Sequence, residues 1–415
     1  MKSFSIHLES LNLRCSRNYV GAYLFALLLG ACAHVDRGAD SPPPNDGFEI
    51  IPADEAKQRG DITVKTGKLQ RKRAQVFKDV QGGRILRGVH PKSHGCVVAD
   101  FTISPDIAAD FQVGLFSGGE KTYTALIRFS NASVRLAPDL DGGNGSRGMA
   151  IKLFDVGENV IVKDAGGNNQ DFLMINTRAF AFPNVRSYQR LTDALLGSPS
   201  GADPSAAFAP ADDWTAEDRQ NLEKSRKVIG QIKQKTVRNP TEVQYFGAAP
   251  SLFGADRVMK FAAEPCGGEK LQEPFDNEPD ENYLHQALAA RMAQHQEPVC
   301  FDFKIQVLGI NQVREDRNSN IGETTGDLIE DATRVWDENA FPFTKVAKII
   351  IPTSPTKGKS LLIDCESRDF NPWHSLAAHQ PLGGINRLRK PVYISSAANR
   401  HRDAPAESAA ISDSD

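Results

Sequence analysis

The sequence predicts an α+β fold built on a largely antiparallel sheet, with strands in the middle of the chain and helices at its end. Two observations carry this. Segments 95–101, 125–131, 147–154, 170–176, 258–263, 299–307 and 346–352 are short, apolar and bounded by turn residues. Segment 300–307 also alternates cleanly, as a strand does when one face is core and the other wet. Strands that run together before a helical end read as α+β rather than as a parallel doubly wound sheet.

Composition bounds the function classes. The 415 residues are 40% hydrophobic and 24% charged, with net charge −3, so the chain can bury a large core and offers no basic surface for nucleic acid. Lys2, Arg14 and Arg17 precede the apolar run 20–29, which is too short to cross a bilayer and suits a signal peptide. The run ends in Leu29-Gly30-Ala31-Cys32, which resembles a bacterial lipobox and implies a lipid on Cys32. We therefore expect a signal peptide over 1–31, a Pro-rich tether over 32–52, one domain over 53–402 and a disordered tail over 403–415. That organisation implies an exported protein on the periplasmic side of a bacterial membrane, or a soluble periplasmic or secreted one. Cys96, Cys266, Cys300 and Cys365 match no zinc spacing, and sequence alone does not choose a disulfide pair.

Taken in order, 53–78 reads as a polar surface helix leading into Arg87-x-x-His90-Pro91-Lys92. On the next strand Arg128 and Ser130 share one face; on the strand after it Met149 and Ile151 do. Asn176 ends an apolar run, where a polar residue is either a strand cap or a site residue. Phe180 and Phe182 are candidates to wall an apolar pocket. Thr215 or Asp213 caps a long polar helix through 235, which reads as a solvent-facing insertion. Another helix is expected over 281–294. Near the end, Arg389-x-x-x-Tyr393 is followed by Arg400. On one helix, Tyr393 and Arg400 would lie two turns apart on a shared face. A guanidinium near the phenol favours phenolate, a hard ligand for ferric iron. Pro391 sits poorly inside a helix, so the helix is expected to begin there, with Arg389 on the turn before.

Five separated motifs, in order over 84–402, resemble the haem catalases, and more closely the short catalase-related haem peroxidases. They are Arg87–Gly95, Arg128-Phe129-Ser130, Arg147–Lys152, Gln170–Thr177 and Arg389–Arg400. The resemblance implies a catalase-like antiparallel β-barrel with surrounding helices, haem b as cofactor and peroxide as substrate. It implies Tyr393 as axial iron ligand, supported by Arg389, and His90 as the base and acid that moves the peroxide proton, oriented by Ser130. Asn176 would bind the peroxide; it is one residue off the family's spacing, which leaves Asn168 and Asn169 as alternatives. Arg87, Arg128 and Arg400 would hold the haem propionates. His374 and His379 read as packing or propionate-side residues. The resemblance further implies an electron donor, a possible homo-oligomer and no nucleotide-binding domain. Peroxidase-type reduction of hydrogen peroxide or of organic and lipid hydroperoxides is the favoured activity. The alternatives are true catalase activity and a haem-binding lipoprotein without turnover.

Overall fold

The computed structural model describes residues 48–140, 145–163, 167–293, 297–319, 327–353, 363 and 365–402. The expected signal peptide, Cys32 and the tail lie outside them, as does most of the tether. In chain order the main elements are α1 (Glu55–Val76), α2 (Lys78–Gln81), β1 (Ser93–Ile103), β2 (Thr122–Asn131), β3 (Arg147–Leu153), β4 (Gln170–Ile175), α3 (Val185–Gly197) and α4 (Ala216–Lys233). There follow β5 (Tyr245–Phe246), β6 (Ser251–Leu252), β7 (Arg257–Pro265), α5 (Tyr283–Ala293), β8 (Val299–Gly309), α6 (Ile310–Ser319), β9 (Thr344–Ile351) and α7 (Gly384–Arg402).

The sheet closes. Its order is β5-β4-β3-β2-β1-β9-β8-β7, with β6 beside β7, and a β5–β7 pairing joins the ends into an antiparallel barrel of eight strands. Closure removes the exposed edges that an open sheet must otherwise protect. Alternation then sends every second side chain inward. Phe101, Phe172, Phe261 and Phe303 fill the interior, with Phe172 and Phe303 centroids 4.7 Å apart and Phe101 and Phe303 5.1 Å apart. These tilted pairs combine large apolar area with favourable ring geometry.

The same alternation builds an outer wall on β2, β3 and β4. Met149 and Ile151 point into the barrel core with Ile127 and Phe129. The other parity faces outward in paired rows: Ser130–Gly148–Ile175, then Arg128–Ala150–Leu173, then Leu126–Lys152–Asp171. Helices α1 and α7 pack together outside the barrel, and α3 packs on α1.

Two expectations for the helices change. Helix α1 is not a surface helix: Ile62, Leu69, Gln70 and Arg73 are buried against α3, α7 and the loop before β1. Its low apolar content conceals this, because much of the buried face is polar and hydrogen-bonded. Helix α4 is capped by Thr215, whose hydroxyl accepts from Asp218 N–H while Asp218 accepts from Thr215 N–H. Rather than projecting as an insertion, α4 buries Leu222 and Val228, and Asp218 pairs with Arg186 and Arg190 of α3.

The last residues of the expected tether also join the fold. Phe48 is buried, and Glu49, Glu55 and Glu330 converge on Arg387 of α7. Arg387 donates through Nε and Nη2 to Glu55 at 2.7 and 2.6 Å and through Nη2 to Glu330 at 2.8 Å. Disulfides join Cys96 to Cys365 and Cys266 to Cys300. Among the described residues no helix is long and apolar enough to cross a membrane.

Removing Arg387 would leave these carboxylates facing one another out of water. Arg387→Ala should lose about 3–5 kcal/mol of stability, the usual cost of breaking a buried charge pair. Denaturant unfolding measures it; a loss below about 1 kcal/mol would show the cluster to be solvated.

Candidate active site

A cavity of about 510 Å³ lies over the outer wall of β2–β4, lined also by residues of α1, α3 and α7. This is within the roughly 300–1,000 Å³ range of small-molecule sites. Its apolar lining includes Val134, Leu173, Phe180, Leu195, Leu388 and Val392. Seven of the eight residues favoured from sequence line it: His90, Ser130, Arg87, Arg128, Arg389, Tyr393 and Arg400.

His90 sits on the loop before β1 with φ of +59°, in the left-handed region, although the following Pro91 favours an extended residue there. Such a residue persists only where its surroundings hold it, at a cost of about 1–3 kcal/mol. Here His90 N–H donates to Ser133 O at 2.8 Å, and Arg128 Nη2 donates to His90 O at 2.9 Å. Helix α1 steadies the approach: Arg73 donates to Gly88 O at 2.6 Å and Gln70 to Leu86 O at 2.9 Å. Gln70 also donates to Ser396 Oγ of α7 at 2.9 Å, so one side chain ties the His90 loop to the Tyr393 helix.

The ring of His90 pairs through Nδ1 with Ser130 Oγ at 3.0 Å. Burial pushes its pKa down to about 3, and the nearby Arg128, Arg389 and Arg87 add to the effect. The imidazole is therefore neutral through the physiological range, the state in which it can accept a proton. Gly148, opposite Ser130 on β3, makes the packing possible. A Cβ there would lie 2.5 Å from His90 Nδ1 and 2.8 Å from Ser130 Oγ.

Tyr393 comes from α7, which runs unbroken from Gly384 to Arg402 with Pro391 inside it. The expectation of a helix starting at Pro391 is thus corrected: Arg389 and Tyr393 lie one turn apart on a single helix. A mid-helix proline forfeits one backbone hydrogen bond, and tertiary packing of Ile385 and Leu388 holds the segment helical despite it. Arg389 donates to Asn386 Oδ1 at 3.1 Å and lies over Phe180 at 5.2 Å. It makes no hydrogen bond to Tyr393; the phenol oxygen of Tyr393 has no hydrogen-bond partner among the described residues. A second phenol, Tyr188 of α3, also lines the cavity, with burial pushing its pKa up to about 12. Nothing in the sequence pattern singles it out.

Three arginines gather at one side. Arg87 and Arg128 both pair with Glu366, and Arg400 donates to Asp369 Oδ1 at 2.6 Å and to Glu366 O at 2.8 Å. Among the described residues, three guanidiniums here face two carboxylates. Cys365, bonded to Cys96 of β1, precedes Glu366 in sequence and ties this segment to the barrel.

The amide expectation fails. Asn176 lies away from the cavity: its Oδ1 accepts from Arg147 N–H at 2.8 Å and its Nδ2 donates to Gly145 O at 2.9 Å. It fastens the backbone before β3, the structural role of a strand-end amide. Asn168 and Asn169 do not line the cavity either. The amide that does is Asn371, unmarked by any sequence motif. His374 also lines it, whereas His379 is buried elsewhere, its Nε2 accepting from Leu115 N–H at 3.0 Å.

Comparison with solved structures places the architecture. Similar chains include a fungal catalase (17% identity, TM-score 0.54), catalase A from Saccharomyces cerevisiae (16%, 0.55) and a bacterial catalase (16%, 0.57). The chain shares its fold with catalases. The alignments cover 79%, 78% and 80% of this chain and 61%, 62% and 60% of those, so the chain spans about three fifths of their length. No family model matches the sequence, and no curated protein does.

The cavity's donor set fits a haem: a phenol without a partner among the described residues on one wall, a neutral histidine on another, apolar surfaces, and guanidiniums at one side. The geometry also predicts that Gly148→Ala will displace His90 from Ser130 while sparing the α7 wall. The imidazole resonances of His90, compared by NMR in the two proteins, should shift with the lost Ser130 contact, and unchanged resonances would show that Gly148 does not hold the ring.

Proposed function

We propose that this protein is a haem-dependent peroxide-metabolising enzyme of the peroxidase type, reducing hydrogen peroxide or organic and lipid hydroperoxides. One observation carries the reading: the His90–Ser130 pair and the Tyr393 phenol, which has no hydrogen-bond partner among the described residues, line the same cavity beside the Arg87–Arg128–Arg400 cluster. The fold shared with catalases supports it.

Tyr393 would hold the haem iron through its phenolate oxygen, and Arg87, Arg128 and Arg400 would hold the carboxylates. When bound, the haem supplies a ferric centre that takes up peroxide oxygen and exchanges electrons. The chain's own residues manage protons and charge. Neutral His90 accepts the proton of the proximal peroxide oxygen and returns it to the distal one, so that the departing oxygen leaves as water or alcohol rather than as an anion. Ser130 and the bare face of Gly148 fix the ring in one orientation. Arg389, one turn before Tyr393, adds positive charge on the phenol's side of the cavity.

The test is the absorption spectrum of the mature protein and of Tyr393→Phe, followed by addition of hydrogen peroxide with an oxidisable donor. The wild type should show a high-spin ferric haem spectrum that is lost or changed in the variant, with donor oxidation and little oxygen release. Vigorous oxygen release would select a catalase instead. A protein without a haem band after expression with ample haem would overturn the reading.

We further propose that the protein is exported and lipid-anchored through Cys32. The lipobox-like Leu29–Cys32 and the two disulfides, which persist in oxidising compartments, support this. Cys32→Ser should move the protein from the membrane fraction to the soluble fraction; unchanged partition would refute the anchor.

A further inference from the structure

One buried cation on the cavity wall lacks a counter-charge among the described residues. Arg73 of α1 lines the cavity and is only 4% exposed. Its Nε donates to Gly201 O at 2.7 Å and its Nη1 to Gly88 O at 2.6 Å. Both acceptors are neutral carbonyls, so they orient the guanidinium without neutralising it. Nη2, which carries two more N–H groups, is buried and has no hydrogen-bond partner among the described residues. Burial pushes the pKa of Arg73 down to about 10, which still leaves it protonated at neutral pH. A buried charge is normally paired, and a buried N–H normally has an acceptor. The other arginines of the cavity differ: Arg87 and Arg128 pair with Glu366, and Arg400 pairs with Asp369.

The wall beside Arg73 is mostly apolar. Helices α1 and α3 run parallel there, with Gln189 donating to Asp61 at 2.9 Å towards one end and Lys72 to Leu196 O at 3.0 Å towards the other. Leu69 precedes Arg73 by one turn on α1, and Thr192 and Leu195 are one turn apart on α3. All of them line the cavity, and Leu69 and Leu195 share one apolar cluster with the partly buried Val134. The turn after α3 packs on the same two residues of α1: a Cβ at Gly201 would lie 3.5 Å from Arg73 Cγ and 3.6 Å from Leu69 Cδ2. Arg73 is thereby fixed between the His90 loop and this turn, with hydrocarbon at its side.

We propose that Arg73 and the Leu69–Leu195 cleft bind an aliphatic monocarboxylate, its carboxylate on the guanidinium and its chain along the leucines. A single unpaired charge suits a monoanion. The open N–H groups of a planar guanidinium suit a carboxylate, and the charge-assisted hydrogen bond formed there is stronger than a neutral one. Leucine and valine beside it suit a hydrocarbon chain rather than a second polar group. The site is built by α1, α3 and the turn after α3, so it does not rest on the haem reading.

Calorimetric titration of the full mature protein, as purified, tests this without turnover. Octanoate should bind at one site. Octanol, which has the chain without the charge, and acetate, which has the charge without the chain, should each bind at least tenfold more weakly. Arg73→Gln should weaken octanoate at least tenfold and leave octanol unchanged, and Arg73→Lys, which keeps the charge, should bind octanoate more tightly than Arg73→Gln does. No binding of octanoate, equal affinity for octanoate and either analogue, or unchanged octanoate affinity in Arg73→Gln would each overturn the proposal. The three-ligand comparison uses the wild type alone and does not depend on a variant folding. Failure here would leave the haem reading intact, and a protein that takes up no haem yet binds octanoate through Arg73 would leave this site standing.

Discussion

The site depends on a missing side chain. His90 occupies a strained backbone position and reaches Ser130 only because β3 presents Gly148 beneath it. Any Cβ at 148 would meet the imidazole at less than contact distance. The strand pairing that brings Gly148 beside Ser130 is itself a consequence of barrel register, and a slip of one residue would turn Ser130 and Arg128 into the core. Register, glycine and histidine thus form one constraint. The aromatic interior of the barrel enforces it, since Phe129, Met149 and Phe172 can be buried only with their neighbours facing out.

The opposite wall is a helix, and a helix packed on a barrel can slide. Two devices prevent that here. The Glu49–Glu55–Glu330 cluster grips Arg387 at the start of α7. Further along, Gln70 of α1 joins Ser396 of α7 to the backbone of the His90 loop, and Asn399 donates to Gln70 Oε1 at 3.3 Å. Because α1 touches both walls, the separation between the His90 side and the Tyr393 side is set by one rigid element.

Much of the fold was legible in sequence because strand alternation is local: β1, β2, β3, β4, β7, β8 and β9 all follow segments of apolar periodicity. The closing strand β5 was not, since two residues carry no period and their pairing with β4 and β7 is set by distant chain. Motif spacing singled out a histidine, a serine, a tyrosine and arginines that the fold brings to one cavity. Asn176 was a misassignment of a kind that spacing invites: an amide at the end of a strand satisfies the backbone as readily as a ligand, and only partners at 2.8 and 2.9 Å decide between them. Pro391 misled in the other direction, because local propensity opposes a helix that tertiary packing imposes. Asn371 and Tyr188 left no signal, since neither belongs to a periodic or repeated pattern.

Polarity on the barrel wall is arranged against stability. Burying Lys152, Asp171 and Arg128 on one face of a barrel costs desolvation that an apolar wall would avoid, and buried ion pairs seldom recover that cost fully. A purely structural wall would replace them with leucine or valine, as its neighbours Leu126, Ala150 and Leu173 show to be sterically acceptable in the same rows. The polar groups fall instead on successive outward-facing rows: Ser130 beside the neutral His90 at one end, Arg128 between, and the Lys152–Asp171 pair at the other. Charge, donor and acceptor are thereby separated along one surface by the strand repeat itself. Successive rows of this wall therefore change in hydrogen-bonding character every two residues.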